Sequence, residues 1–230
     1  MRKFIILFII LTFQSSLFSQ NLSEDFLGSW YTYGSNHRLN ERFSLSPYGE
    51  LRFYEASSNY NLIFVSLRGN YHVDAKSSLG LGYAYLDIDT VFEFDKAPNV
   101  HENRLFEQYV LKHNWSKIKV THRGRLEQRF LNFRTRNETQ HRFRYRISLK
   151  YDFNKTLFAV ISEEPFVNFQ DQAFHENRFY VGFGINFSKH AQFSIGYLKQ
   201  NIRKNNLNRI QIGISFKTDS RKPKSIVSQL

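Results

Sequence analysis

The sequence predicts an all-β chain closed into a single antiparallel transmembrane β-barrel of about 10–12 strands. Three observations carry this expectation. Apolar and polar side chains alternate with a period of two, the signature of strands with one wet and one apolar face. The alternating stretches run to about 10–13 residues, longer than the usual soluble strand of about 5–6 and long enough to cross a bilayer at a tilt. From Val73 onward the connections alternate between tight and long, as short periplasmic turns and longer external loops would.

The first residues predict export. Arg2 and Lys3 precede the apolar run Phe4–Phe13, and Gln14–Ser19 is a short polar stretch ending before Gln20. That order of charge, apolar segment and small residue is that of a secretory signal, expected here over residues 1–19. About ten apolar residues rise only about 15 Å as a helix, too little for a hydrocarbon core of about 30 Å. No later run approaches the length of a membrane-spanning helix. Mean hydropathy is −0.48, but a barrel shows lipid only every second residue of each strand.

The clearest strand is Arg142–Tyr151. Phe143, Tyr145, Ile147, Leu149 and Tyr151 fall on one face, and Arg142, Arg144, Arg146, Ser148 and Lys150 on the other. A helix would mix the two sets. Earlier in the chain, Phe43, Leu45, Leu51 and Phe53 oppose Ser44, Ser46, Glu50 and Arg52 within 42–54. Val65, Leu67 and Tyr71 oppose Ser66, Arg68, Asn70 and His72, and Leu79, Leu81, Tyr83 and Tyr85 alternate with Gly80, Gly82 and Ala84. Later, Phe179, Val181, Phe183, Ile185 and Phe187 alternate with Arg178, Tyr180, Gly182, Gly184 and Asn186. In the last strand Ile210, Ile212, Ile214 and Phe216 oppose Gln211, Gly213, Ser215 and Lys217. Less regular strands are expected at 26–34, 104–114, 118–131, 157–169 and 193–200.

Short turns are expected at 74–77, 114–116, 152–155 and 188–190, and long loops at 87–101, 132–140, 170–175 and 201–208. The phase holds for ten strands between Arg42 and Lys217. The 26–34 segment is an eleventh, which an even-numbered barrel would have to pair or exclude. Tyr71, Trp115, Tyr151, Phe153, Phe187 and Phe216 all lie beside short turns, where an interfacial aromatic girdle belongs. One barrel domain is therefore expected over 20–217, followed by a basic disordered tail at 218–230 that carries Arg221, Lys222, Pro223 and Lys224.

The chain has no cysteine, so it has neither a disulfide framework nor a thiolate metal site. Its net charge is +12, and loss of Arg2 and Lys3 with the signal would leave +10. Export makes nucleic acid an unexpected partner for that charge. Outer-membrane lipids and small anionic solutes are the expected ones, at the bacterial outer membrane. The eight histidines lack ligand spacing, and neither a metal nor another cofactor is expected. The Asn-x-Ser/Thr triplets at Asn21, Asn114, Asn137, Asn154 and Asn186 are chance matches in an asparagine-rich chain unless its source is eukaryotic.

The densest polar constellation lies on two neighbouring strands. Arg123, Arg125, Glu127 and Arg129 share one face, and Arg142, Arg144 and Arg146 form the matching face of the next. That makes six arginines against one glutamate. Toward lipid such residues would each cost roughly 2–4 kcal/mol near the midplane, so they must face a wet or paired interior. Two outcomes stay open. Glu107, Glu127, Glu163 and Glu164 could neutralise the arginines in a plugged, structural barrel. Alternatively the lumen, with Arg178 beside it, is a porin-like path or binding surface for acidic solutes. A third, lipid-modifying outcome would need His122, Ser162 and Glu127 to converge, which no spacing ensures. A soluble lipocalin-type barrel is disfavoured by strand length and loop alternation.

The segment His122-Arg123-Gly124-Arg125-Leu126-Glu127-Gln128-Arg129-Phe130 resembles the most distinctive motif of an uncharacterised bacterial family known as domain of unknown function 2490. Trp30, Phe143–Arg146, Glu164–Asn168 and Asn177–Gly182 match it too, in order, across nearly the whole chain. The resemblance implies a small outer-membrane barrel and brings no activity, substrate or catalytic residue.

Overall fold

Eleven strands close on one another in the computed structural model, which describes residues 22–92, 98–170 and 173–221. The expected signal at 1–19 lies outside the described residues. The strands are β1 (Leu27–Arg38), β2 (Phe43–Phe53), β3 (Tyr60–His72), β4 (Ser77–Ile88), β5 (Val100–Trp115) and β6 (Ile118–Asn132). Then follow β7 (Asn137–Asp152), β8 (Leu157–Asn168), β9 (Phe174–Asn186), β10 (Ala191–Ile202) and β11 (Asn205–Asp219). A single 3-10 turn, Leu22–Glu24, precedes them among the described residues.

Each strand pairs antiparallel with the next. An odd number of such strands leaves the first and last running the same way, so β1 and β11 close the barrel in parallel, from Leu27↔Asn208 to Arg38↔Asp219. The segment at 26–34 is thus a full member of the wall. Closure removes both sheet edges, which satisfies the backbone whatever the parity of the count. It also draws Thr218 and Asp219, expected in the tail, into β11, while residues 222–230 lie outside the described residues.

The strands run from 11 to 16 residues and absorb much of what the sequence assigned to long loops. The expected loop at 201–208 shrinks to Arg203 and Lys204, because Arg203 adopts a left-handed φ of 53° and closes the hairpin at once. Ser116, also at 53°, does the same between β5 and β6. The expected long loop after β4 stays long, and both it and the 54–59 connection lie at the end opposite the turns at 73–76 and 116–117.

Alternation along the strands sorts side chains as the pattern requires. Leu79, Leu81, Tyr83 and Tyr85 are exposed on the outside, and Gly82, Ala84 and Leu86 are buried inside. Part of the lumen is packed by an apolar cluster of Leu62, Phe64, Ala84, Leu86 and Phe106. Gly82 has to be glycine there, because an added Cβ would collide with the Phe106 ring. Outside, Phe43, Tyr71, Trp115, Tyr151, Phe153, Phe187 and Phe216 ring the short-turn end. Within that ring Phe43 meets Tyr71 edge-on at 5.5 Å, and Tyr151 meets Phe153 at 5.2 Å. The β7–β8 ladder is interrupted opposite Tyr145 and Arg146, where Pro165 has no N–H to give.

Candidate functional site

The barrel encloses a cavity of about 1430 Å³. Inward from the two rims, eleven arginines belong to its walls: Arg52, Arg68, Arg104, Arg123, Arg125, Arg129, Arg142, Arg144, Arg146, Arg178 and Arg209. Five enclosed carboxylates accompany them, namely Glu50, Glu102, Glu127, Glu164 and Glu176. Arginine stays charged under all ordinary conditions, so eleven cations face five anions.

Register explains how the network forms. Arg125 sits directly opposite Arg144 on β6 and β7, and Glu127 directly opposite Arg142. Glu127 is 0% exposed. It accepts from Arg142 Nε at 2.9 Å and Nη2 at 2.6 Å, and from Arg144 Nη1 at 2.8 Å. Arg104 Nη1 lies 3.4 Å and Arg125 Nη1 3.7 Å from the same carboxylate. A single anion therefore holds four guanidinium groups from three strands. Glu102 takes a two-pronged bond from Arg129, at 2.9 and 2.8 Å, and pairs with Arg104 at 2.7 Å. Glu164 pairs with Arg123 and with Arg144, the latter at 3.0 Å. Glu176 accepts from Arg178 Nε at 2.6 Å and from Gln200 at 2.8 Å.

A second arrangement crosses the lumen. Arg178 of β9 lies 4.6 Å from the Phe166 ring of β8 and 4.9 Å from the Trp30 ring of β1. Arg52 of β2 covers Trp30 at 3.7 Å and pairs with Glu50. Arg142 and Arg144 approach Phe166 at 4.9 and 4.4 Å. Cation–π attraction is worth up to about 2 kcal/mol when desolvated. Alternating aromatic and guanidinium groups thus make a chord across the barrel and narrow it at that level.

All nine residues singled out from the sequence, Arg123, Arg125, Glu127, Arg129, Arg142, Arg144, Arg146, Glu164 and Arg178, lie on this inner side. Two proposed neutralisers do not. Glu107 and Glu163 fall on the outward parity of β5 and β8, where Gln128 and Asn177 bind them. The inner acids are Glu50, Glu102 and Glu176, signalled in the sequence only by strand parity. The His122, Ser162 and Glu127 set is broken by the same parity. His122 points outward, bonded to Tyr145 at 2.6 Å and stacked on His113, while Ser162 and Glu127 point inward. The sequence places Arg52 and Arg68 on polar strand faces but does not bring them, Arg104 or the Trp30–Phe166 chord into the site, because each strand alone offers one such residue. No group of acids and histidines that could hold a metal ion occurs among the described residues.

The family model described as a protein of unknown function, DUF2490, matches residues 27–211. Among solved structures, LpxR from Salmonella typhimurium is similar at 12% identity with a TM-score of 0.46, covering 77% of this chain and 83% of that one. A likeness at that level carries nothing about chemistry. No curated protein matches the chain.

Proposed function

The chain belongs to the DUF2490 family, whose description gives no activity, and we propose from its own residues an outer-membrane barrel that admits or binds small acidic solutes in an arginine-lined lumen. The single observation behind this reading is the imbalance of eleven inner arginines against five inner carboxylates. The apolar, aromatic-rimmed outside supports membrane insertion. Twelve residues at about 3.3 Å rise and a tilt near 40° cover about 30 Å, the depth of a hydrocarbon core. Outer-membrane lipids are then the partners of Leu81, Tyr83 and their outward neighbours. Export through the expected signal at 1–19 would deliver the chain there.

The test is conductance of the refolded protein in a planar bilayer under a salt gradient. Small steps whose reversal potential marks anion preference are expected, with that preference reduced in Arg68→Gln and Arg146→Gln. Cation preference, or selectivity indifferent to these changes, contradicts the reading. A second reading, a closed structural barrel, draws on the Phe166–Arg178–Trp30–Arg52 chord and the saturated carboxylates. It requires silence from protein shown to be folded and inserted.

A further inference from the structure

We infer that the lumen holds one defined binding site for a phosphate dianion, free or as a phosphomonoester, between Arg68, Arg123, Arg125 and Arg146. This deepens the acidic-solute reading and rests on it.

Two arginine pairs sit directly opposite each other on β6 and β7: Arg125↔Arg144 and Arg123↔Arg146. Directly opposed like charges repel. The first pair is bridged by Glu127, which reaches both partners. In the second, no carboxylate among the described residues is bonded to both partners, although Glu164 pairs with Arg123 and lies across the β7–β8 register from Arg146. Glu164 is also shared with Arg144. Arg146 has no hydrogen bond or ion pair among the described residues, although it faces the cavity. Arg123 Nε is buried with no hydrogen-bond partner. The β7–β8 ladder is also open opposite Arg146.

Arg68 completes the group from β3. Its Nη1 donates at 3.3 Å to Gln108 Oε1, and the same oxygen accepts from Arg125 Nε at 3.2 Å and Nη2 at 2.8 Å. Arg68's other partner is Asn70 Oδ1 at 2.6 Å. Both are neutral amides, which orient the guanidinium without cancelling its charge. Gly80 on the intervening strand makes this approach possible, because an added Cβ would lie 2.9 Å from Arg68 Cδ and 3.1 Å from Gln108 Cγ. Arg68 from β3 and Arg146 from β7 line the same cavity.

Four guanidinium groups face the cavity here, and the two nearby carboxylates cannot balance them, because Glu164 is divided between Arg123 and Arg144 and Glu127 is divided among Arg104, Arg125, Arg142 and Arg144. Planar guanidinium forks match the oxygens of a phosphate, and several of them favour a doubly charged anion over a singly charged one. Chloride could screen this cluster, but a single monovalent centre lacks the paired oxygens that match the two parallel N–H bonds of a guanidinium fork.

The experiment is titration of the detergent-refolded full chain with inorganic phosphate, and separately with a soluble sugar phosphate, followed by calorimetry in chloride buffer. Saturable binding with a stoichiometry near one is expected. Arg146→Gln should weaken it at least tenfold, and Arg68→Lys should retain more affinity than Arg68→Gln. Arg42→Gln, in the short turn between β1 and β2, should leave it unchanged. Stronger binding of the sugar phosphate than of inorganic phosphate assigns the site to phosphomonoesters, and the reverse assigns it to free phosphate. Absence of saturable binding by folded protein overturns the inference, as does equal binding in Arg146→Gln. Arg146 has no bonded partner to lose, so that variant should fold. Conductance is read separately. Anion-selective steps without phosphate binding would defeat this site and leave the lumen reading standing. Phosphate binding without conductance would defeat only the channel form of that reading.

Discussion

Glu127→Gln tests the network at its most connected point. The substitution keeps shape and volume but removes the charge that four guanidinium groups share. The new amide N–H also has to face donors, since Arg142 fills one carboxylate oxygen and Arg144 the other. Breaking a buried ion pair from one side costs about 3–5 kcal/mol. The arginines border a cavity that can admit water, so the low end, about 3 kcal/mol, applies. With a urea slope of about 2 kcal/mol/M, the unfolding midpoint should fall by about 1.5 M. Tryptophan fluorescence in detergent micelles reads it, through Trp30 inside the barrel and Trp115 outside. Glu107→Gln, on the outer face of the neighbouring strand, is the matched control and should cost at most about 0.5 kcal/mol. Equal midpoints for the two variants would refute the assignment of Glu127 as the anionic centre of the lumen.

Trp30→Ala should cost about 3–5 kcal/mol, through lost packing and through Arg52 and Arg178 losing the ring they cover, as read by urea unfolding followed at Trp115. If the barrel conducts, the same variant should conduct more, because the chord loses its middle. At the β3–β4 turn, the backbone N–H groups of Lys76 and Ser77 donate to Asp74 Oδ1 at 2.6 and 2.7 Å and hold its carboxyl below the usual 3.8. Its folded value being depressed, the contribution is complete above the unfolded value and is lost as pH falls through the folded one. Protection factors at Lys76 and Ser77, exchange rates taken relative to the intrinsic rate at the same pH, should therefore fall on acidification below about pH 4, and Asp74→Asn should abolish that dependence.

Strand identity was legible because lipid-facing and lumen-facing residues alternate without exception in segments such as 142–151 and 79–85, and only a period of two explains them. Closure was not legible. The sequence of 26–34 alternates weakly, with Gly28, Ser29 and Gly34 among its residues, and its partner lies some 180 residues away in β11. Loop lengths were overestimated at 201–208 because the stop signal there is a left-handed arginine rather than glycine or proline. The arginine face of β6 and β7 stood out because two adjacent strands repeat it in register. Two of its counter-ions, Glu127 and Glu164, were legible on the same or the adjacent strand, whereas Glu102 and Glu176 were not, because β5 and β9 each present them singly and only the folded wall brings them to the arginines. The Trp30–Phe166 chord is likewise a product of closure, since it joins residues on strands that are not neighbours in the wall.

Cysteine is absent from the chain, so single cysteines can report on each face in the assembled membrane. The most direct test of the central claim is the reaction rate of Ser148→Cys with an anionic and a cationic methanethiosulfonate, in protein reconstituted into vesicles. Ser148 lies on the cavity wall two residues from Arg146, whereas Leu81 points outward and is 63% exposed when no lipid is present. The account predicts that Ser148→Cys reacts faster with the anionic reagent, by about tenfold or more relative to a free thiol, and that Leu81→Cys reacts with neither. Equal rates at Ser148→Cys, or rapid labelling of Leu81→Cys, would contradict an arginine-lined lumen inside a membrane-embedded barrel.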